Sequence, residues 1–194
     1  MRRPVIRRLI LSSSAVSLLI GGTAVLWQQN ERFRFTQGTS SVAPDTWPRL
    51  SKLARPADLP CLLVFVHEEC PCTRATFVEL QKVLTRCRKK LAIKIVFVRY
   101  NLKSHFIASQ LEQLASTIPE AKIEFVDPAE ARAFGATTSG FVALFDRSGS
   151  LLYHGGITSG RGHEGDNVAE DTLVSSINCG IGTRRELPTY GCSL

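Results

Sequence analysis

Val64-Phe65-Val66-His67-Glu68-Glu69-Cys70-Pro71-Cys72-Thr73 is the stretch on which the reading of this chain turns. It begins inside Cys61–Val66, a continuous apolar run of the kind expected of a strand buried on both faces. It ends on two cysteines where a helix should start. That helix is expected over about 72–89, with Phe77, Leu80, Leu84 and Cys87 recurring every three to four residues to form one face. A thiolate at a helix N-terminus is stabilised by the free N–H groups and by the positive end of the dipole. Pro71 suits the first helical position, and Arg74 adds a positive charge nearby. Glu68 and Glu69 act in the opposite sense. Arg86, Arg88, Lys89 and Lys90 fall at the far end of the helix, where they complement its dipole.

Working outward, Ala92–Val98 reads as the next strand, followed by a helix over about 104–117 with Phe106, Ile107, Leu111 and Leu114 inward. A short strand is expected over 122–126. A short helix over 128–134 is begun by Asp127 as N-cap and Pro128 at N1, and is stopped by Gly135. Phe141–Phe145 and 151–154 form a hairpin through Arg147-Ser148-Gly149, and a last helix spans about 167–177. The order β-α-β-α-β-α-β-β-α predicts an α/β sandwich with a mixed sheet flanked by helices.

The N-terminus differs in kind. Arg2, Arg3, Arg7 and Arg8 precede a charge-free run from Leu9 to Trp27, about long enough for a membrane-crossing helix, with Trp27 as an interfacial anchor. A cleaved signal, with an h-region over 9–20 and Gly22-Thr23-Ala24 as its site, is the competing reading. Under either reading the folded domain is exported. The expected divisions are a basic cytoplasmic N-terminus (1–8), the anchor or signal segment (9–27), a linker rich in Gly, Ser and Pro (28–57), the folded domain (58–178) and a tail (179–194). Trp47 and Leu50 are expected to begin packing on the domain. The four arginines supply more than half of the net charge of +7, leaving +3 for the rest, an ordinary surface balance that gives no ground for a nucleic-acid partner. A hydrophobic content of 44% with 21% charged residues indicates a packed core. Six cysteines fit an oxidising compartment outside the cytoplasmic membrane.

The quoted stretch resembles the active-site strand and turn of the thioredoxin-like superfamily. Phe65 matches the aromatic five residues before that family's first cysteine, Cys70 falls on the attacking cysteine, and Thr73 falls on the second cysteine of the usual Cys-x-x-Cys. Phe125-Val126-Asp127-Pro128, Ala133-Phe134-Gly135 and the segment 141–149 are similar to the exported, membrane-tethered branch that includes the cytochrome-maturation thioredoxins. The chain, with Cys-Pro-Cys-Thr-Arg-Ala-Thr, is also similar to a small exported group labelled RedB. The resemblance implies a thioredoxin-like fold over roughly 58–178 and a thiol–disulfide oxidoreductase acting on protein thiols or disulfides, without an organic cofactor or metal. Cys70 would attack and Cys72 would resolve. Two departures stand out. The spacing is Cys-x-Cys, whose disulfide would close a small strained ring and be easily reduced, so that it acts as an oxidant or isomerase. Gly140, preceded by Ser139, takes the place of the usual cis-proline facing the cysteines.

Other residues carry open readings. His67, at the strand end, is a base, a ligand or a polar terminus. The glycine-rich loop 155–167 carries Arg161, His163 and Glu164, which would shape the thiol environment or bind a partner. A disulfide between Cys179 and Cys192 would staple the tail; in the alternative, Cys192 reaches the active site as a resolving thiol. Cys61 and Cys87 read as inert core thiols. Two other function classes stand beside the leading one. Cys70 and Cys72 with His67 are soft ligands suited to Cu(I) in a thioredoxin-like chaperone. A peroxidase of the peroxiredoxin type also uses a Cys-Pro turn, but has a threonine where this chain has His67.

Overall fold

A computed structural model of the chain describes residues 3–39, 41–100, 110–182 and 186–194, with side chains from Val16 onward. It divides into two units, Met1–Phe35 and Thr36–Leu194. The first holds helix α1 (Arg3–Phe35). No helix among the described residues is long and apolar enough to cross a membrane. The expected span over 9–27 falls partly on residues 9–15, whose side chains lie outside the description.

In the second unit, β1 (Cys61–Val66), α2 (Thr73–Arg86), β2 (Ala92–Val98), α3 (Gln110–Ala115), β3 (Ala121–Val126), α4 (Pro128–Ala133), β4 (Phe141–Phe145), β5 (Leu151–Gly155) and α5 (Val168–Cys179) follow in order. The sheet runs β3-β2-β1-β4-β5. β1 pairs with β2 in parallel and with β4 antiparallel, so Phe65 has Val96 on one side and Phe141 on the other. The sheet is mixed and flanked by helices, the arrangement of a thioredoxin-like fold.

The apolar strands are buried because both faces of the sheet are covered. Leu62, Val64 and Val66 face one core with Ile95, Phe97, Val142 and Leu144, against Phe77, Leu80 and Val83 of α2 and Leu173 and Ile177 of α5. The alternate residues Cys61, Leu63 and Phe65 face a second core with Val96, Phe141, Phe145, Ala131 and Phe134. Asp127 caps α4 by accepting the Glu130 N–H at 2.8 Å, and Asn167 caps α5 by accepting the Glu170 N–H at 3.0 Å.

Several expectations shift. Residues 36–57 are part of the domain. Trp47 N–H donates to the Gly149 carbonyl at 2.7 Å, and the indole meets Phe134 and Phe145 edge-on at 5.1 and 5.2 Å. Leu50 is 97% exposed, and Leu53 is the leucine that enters the core. The tail beyond 179 also belongs to this unit. Helix α2 ends at Arg86, with Cys87 in an extended conformation, so Arg88, Lys89 and Lys90 lie outside it. Of the helix expected over 104–117, residues 110–115 form α3, with Leu111 and Leu114 packed against the first core, while 104–109, with Phe106 and Ile107, lie outside the described residues. Burial pushes the Cys61 thiol up to about 12 and Cys87 to about 11, which makes both poor nucleophiles.

Two buried charge clusters fix elements around the cysteine turn. Arg99, at the end of β2, donates to Glu68 at 2.8 Å and to Glu112 of α3, and its guanidinium lies 4.1 Å from the Phe125 ring centroid. Arg99 thereby anchors the loop that leads to Cys70. Glu79 of α2 and Glu170 of α5 form the second cluster. Glu79 accepts from Lys82 and from the Gly165 N–H at 2.7 Å, and Glu170 accepts from Arg86 at 2.9 Å. Each leaves one buried oxygen, Oε2, without a donor. Burial, followed by the neighbouring Glu79, raises the Glu170 carboxyl above its usual range against the opposing Arg86.

Arg99→Ala removes the cation between two buried carboxylates and should cost about 3–5 kcal/mol, read from the urea midpoint of unfolding. For Glu170 the folded pKa lies above the unfolded one. Its contribution is therefore complete below the ordinary glutamate range and is lost as pH rises through the folded value. Glu170→Gln should flatten that loss and raise the melting temperature at a pH of about 7.5. An unchanged pH slope would contradict a raised Glu170 carboxyl.

Candidate active site

The site is built where β1 runs out. His67 N–H donates to Ser139 Oγ at 2.9 Å, and Gly140 N–H donates to the Phe65 carbonyl at 2.8 Å. These bonds clamp the segment before β4 against the end of β1. Cys70 N–H then donates to the His67 carbonyl at 3.2 Å, and Thr73 N–H to the Cys70 carbonyl at 3.1 Å. Cys70 to Thr73 is thus a turn with Pro71 at its second position, a place proline's fixed φ suits. Helix α2 starts only at Thr73, so Pro71 is not the first helical residue. Cys72 is the N-cap, at φ −70° and ψ −20°, and its thiol makes no capping bond. Thr73 Oγ1 lies 3.1 Å from Ser139 Oγ and donates to the His67 carbonyl at 3.2 Å.

Cys70 is wholly buried and Cys72 nearly so. Burial is the largest influence on the Cys70 thiol and opposes ionisation. Hydrogen bonds to its sulfur from the Cys192 thiol, the Cys192 and Cys72 N–H groups and the Ser139 hydroxyl outweigh it, holding Cys70 below the ordinary thiol range. The Cys192 N–H lies 3.4 Å from that sulfur. Cys72 goes the other way. Burial raises it, and the neighbouring Cys70 raises it further, against Arg161 and the Gly162 N–H. Burial and contact with Cys70 push Cys192 up to about 12. One buried thiol is prepared to ionise, and two stay protonated beside it.

The residues singled out from the sequence fall into three groups. Cys70, Cys72, Thr73, Ser139 and Gly140 converge, and His67 holds the turn through its backbone while its Nδ1 accepts the Glu69 N–H at 3.3 Å. From the glycine-rich loop, Arg161 reaches the site, donating to the Gly191 carbonyl and acting on Cys72 and Cys192. Arg74 and Pro71 face solvent, as does Glu164; His163 is half-buried, with its N–H on the Gly160 carbonyl at 3.2 Å. The cation acting on these two thiols is Arg161, supplied by the distant loop.

The bridge expected between Cys179 and Cys192 is not formed. Both are free thiols, Cys179 is exposed at the end of α5, and Cys192 lies against Cys70. Gly191-Cys192, a cysteine beside a glycine in a tail without periodicity, is the one signal in the sequence for this placement. No group of three or more His, Cys, Asp or Glu among the described residues is arranged to hold a metal ion.

No known protein family profile matches the sequence, and no curated protein matches it. Among solved structures, the chain is similar to an uncharacterized conserved protein from Geobacillus kaustophilus, with a TM-score of 0.51 and 17% identity over 82% of this chain and 91% of that one. It is also similar to a thioredoxin-like protein solved in solution in its oxidized form, with a TM-score of 0.49 and 14% identity over 71% and 97% of the two chains. A third is a secreted disulfide oxidoreductase of Mycobacterium tuberculosis homologous to E. coli DsbE, with a TM-score of 0.40 and 10% identity over 62% and 81%. At these identities the likeness is one of fold, a central mixed sheet with flanking helices.

Proposed function

We propose that this chain is a thiol–disulfide oxidoreductase of the extracytoplasmic space, tethered through its N-terminal helix, in which Cys70 attacks as the thiolate. The observation that carries the reading is the ring of donors on the Cys70 sulfur, which lowers its pKa against the cost of burial. A buried structural thiol would instead be raised, as Cys61 and Cys87 are. The substrate class is a protein disulfide. The Cys70 thiolate forms a mixed disulfide with one partner sulfur, the other partner sulfur leaves, and a second thiol then attacks the Cys70 sulfur to release the partner. Cys72 and Cys192 both contact that sulfur. The tether is supported by the four arginines ahead of a charge-free run and by Leu18, Leu19, Ile20, Leu26 and Trp27, all exposed on α1.

Cys70→Ser should lower dithiothreitol-driven reduction of insulin at least about a hundredfold, the scale of losing a nucleophile. Activity retained in this variant would refute the assignment. In the native protein, the rate of Cys70 alkylation should rise with pH and level off below the range of an ordinary thiol. Cys192→Ala, which removes the thiol donor, should move that plateau to higher pH.

A further inference from the structure

Residues 186–194 lie along the domain as one continuous strap that crosses the reactive sulfur. Leu187 N–H donates to the His154 carbonyl at 3.3 Å, and Gly38 N–H donates to the Thr189 carbonyl at 2.8 Å. Ser139 N–H donates to the Cys192 carbonyl at 2.8 Å, and Leu194 N–H to the Thr137 carbonyl at 2.9 Å, with Thr138 and Ser193 bridged antiparallel between them. Leu194 is buried in the second core. The seat is shaped for this backbone. A Cβ on Gly191 would run into the Ser139 carbonyl oxygen, and one on Gly155 into the Leu187 carbonyl oxygen. Either glycine, replaced by any other residue, would force the strap away.

The consequence is chemical. Cys70 has no exposed surface, and Cys192 occupies the approach to it. A partner disulfide cannot reach Cys70 until the strap lifts. When the strap returns, it delivers the Cys192 thiol to the Cys70 sulfur. Cys72 is less suited to that bond. Its backbone is held in helical geometry at the α2 N-cap, and a bridge two residues long closes a small ring.

We propose that the C-terminal strap is a redox-operated cover whose Cys192 resolves the mixed disulfide on Cys70. This rests on the oxidoreductase reading of the site. The strap lifts, and the Cys70 thiolate attacks one sulfur of the partner disulfide, breaking that bond and releasing the other sulfur as a thiolate, which takes up a proton. The strap closes, Cys192 gives up its proton, and its sulfur attacks Cys70. The Cys70–partner bond breaks, and the second partner sulfur leaves with that proton. The products are a Cys70–Cys192 disulfide and a partner dithiol. Two electrons have passed from the two cysteines to the partner. The closed disulfide locks the cover until an external dithiol reduces it.

The test uses the detergent-solubilised full chain. The reduced protein is oxidised with glutathione disulfide, and its bridges are mapped by mass spectrometry of non-reduced peptides. A peptide joining Cys70 to Cys192 is expected, retained in Cys72→Ser and lost in Cys70→Ser. A Cys70–Cys72 bridge with Cys192 still a thiol overturns the proposal. In parallel, the reduced Gly191→Ala variant, its fold checked by circular dichroism, should be alkylated at Cys70 by iodoacetamide at least about tenfold faster than the native protein, the scale of roughly one lost closing hydrogen bond. An unchanged rate also overturns it. Loss of insulin reduction in Cys70→Ser together with a Cys70–Cys72 bridge would leave the oxidoreductase reading standing without the strap. A Cys70–Cys192 bridge in a protein whose insulin reduction is unaffected by Cys70→Ser would refute the oxidoreductase reading and, with it, the resolving role of Cys192.

Discussion

The antiparallel pairing of β1 with β4, extended one step past the strands by Gly140 N–H on the Phe65 carbonyl, governs everything at the thiol end. It sets Ser139 under the loop that leaves β1, so that one hydroxyl receives the His67 N–H, meets Thr73 and donates to Cys70. The same segment leaves the Ser139 N–H and the Thr137 carbonyl unpaired within the sheet, and the tail takes both. Turn, hydroxyl and tail are therefore consequences of one register. A slip by one residue would turn Phe65 out of its core and take Ser139 from the thiol.

The three sulfurs at this end share burial yet diverge in acidity, and the difference lies in who donates to whom. A sulfur that receives hydrogen bonds is stabilised as the anion, and one that gives its proton to a neighbour is held neutral. Cys70 receives from backbone, hydroxyl and thiol. Cys72 and Cys192 give to it and are raised, with Arg161 as a counterweight. The loop bearing Arg161 is in turn anchored by the Gly165 N–H on Glu79, one of the two buried carboxylates between α2 and α5. Loop position, helix packing and thiol chemistry are linked through a single carboxylate.

Much of the frame is written in the sequence, because buried strands announce themselves by continuous apolar runs and capped helices by their first residues. The bounds of β1, β2 and β4 read from the sequence are those observed, and Asp127 and Asn167 cap as side chains of their type do. Register alone places Cys70, Cys72, Thr73, Ser139 and Gly140 together. The parts that are not legible share one physical character. The segment 36–57 and the tail bind through isolated anchors, Trp47, Leu53 and Leu194, and through backbone contacts at glycines. None of these has a period. Cys192 can be counted in a sequence but not located, and Arg161 displaces Arg74 as the relevant cation only because a loop far along the chain folds back.

The tail's manner of attachment bears on how such a site could work. A core helix is held by many apolar side chains and opens only with the whole domain. The strap is held by the single buried anchor Leu194 and a few backbone hydrogen bonds, each adding about 1 kcal/mol net, and each ordered residue costs about as much or more in entropy. Its hold is a small difference between these, which places its opening among low-energy local events. A bond between Cys70 and Cys192 changes that balance at a stroke, because it ties the strap to the sheet covalently. In the dithiol state the reactive sulfur is covered but reachable, and in the disulfide state it is consumed and closed. Access and redox state are then one variable, set by the sulfur that the strap carries.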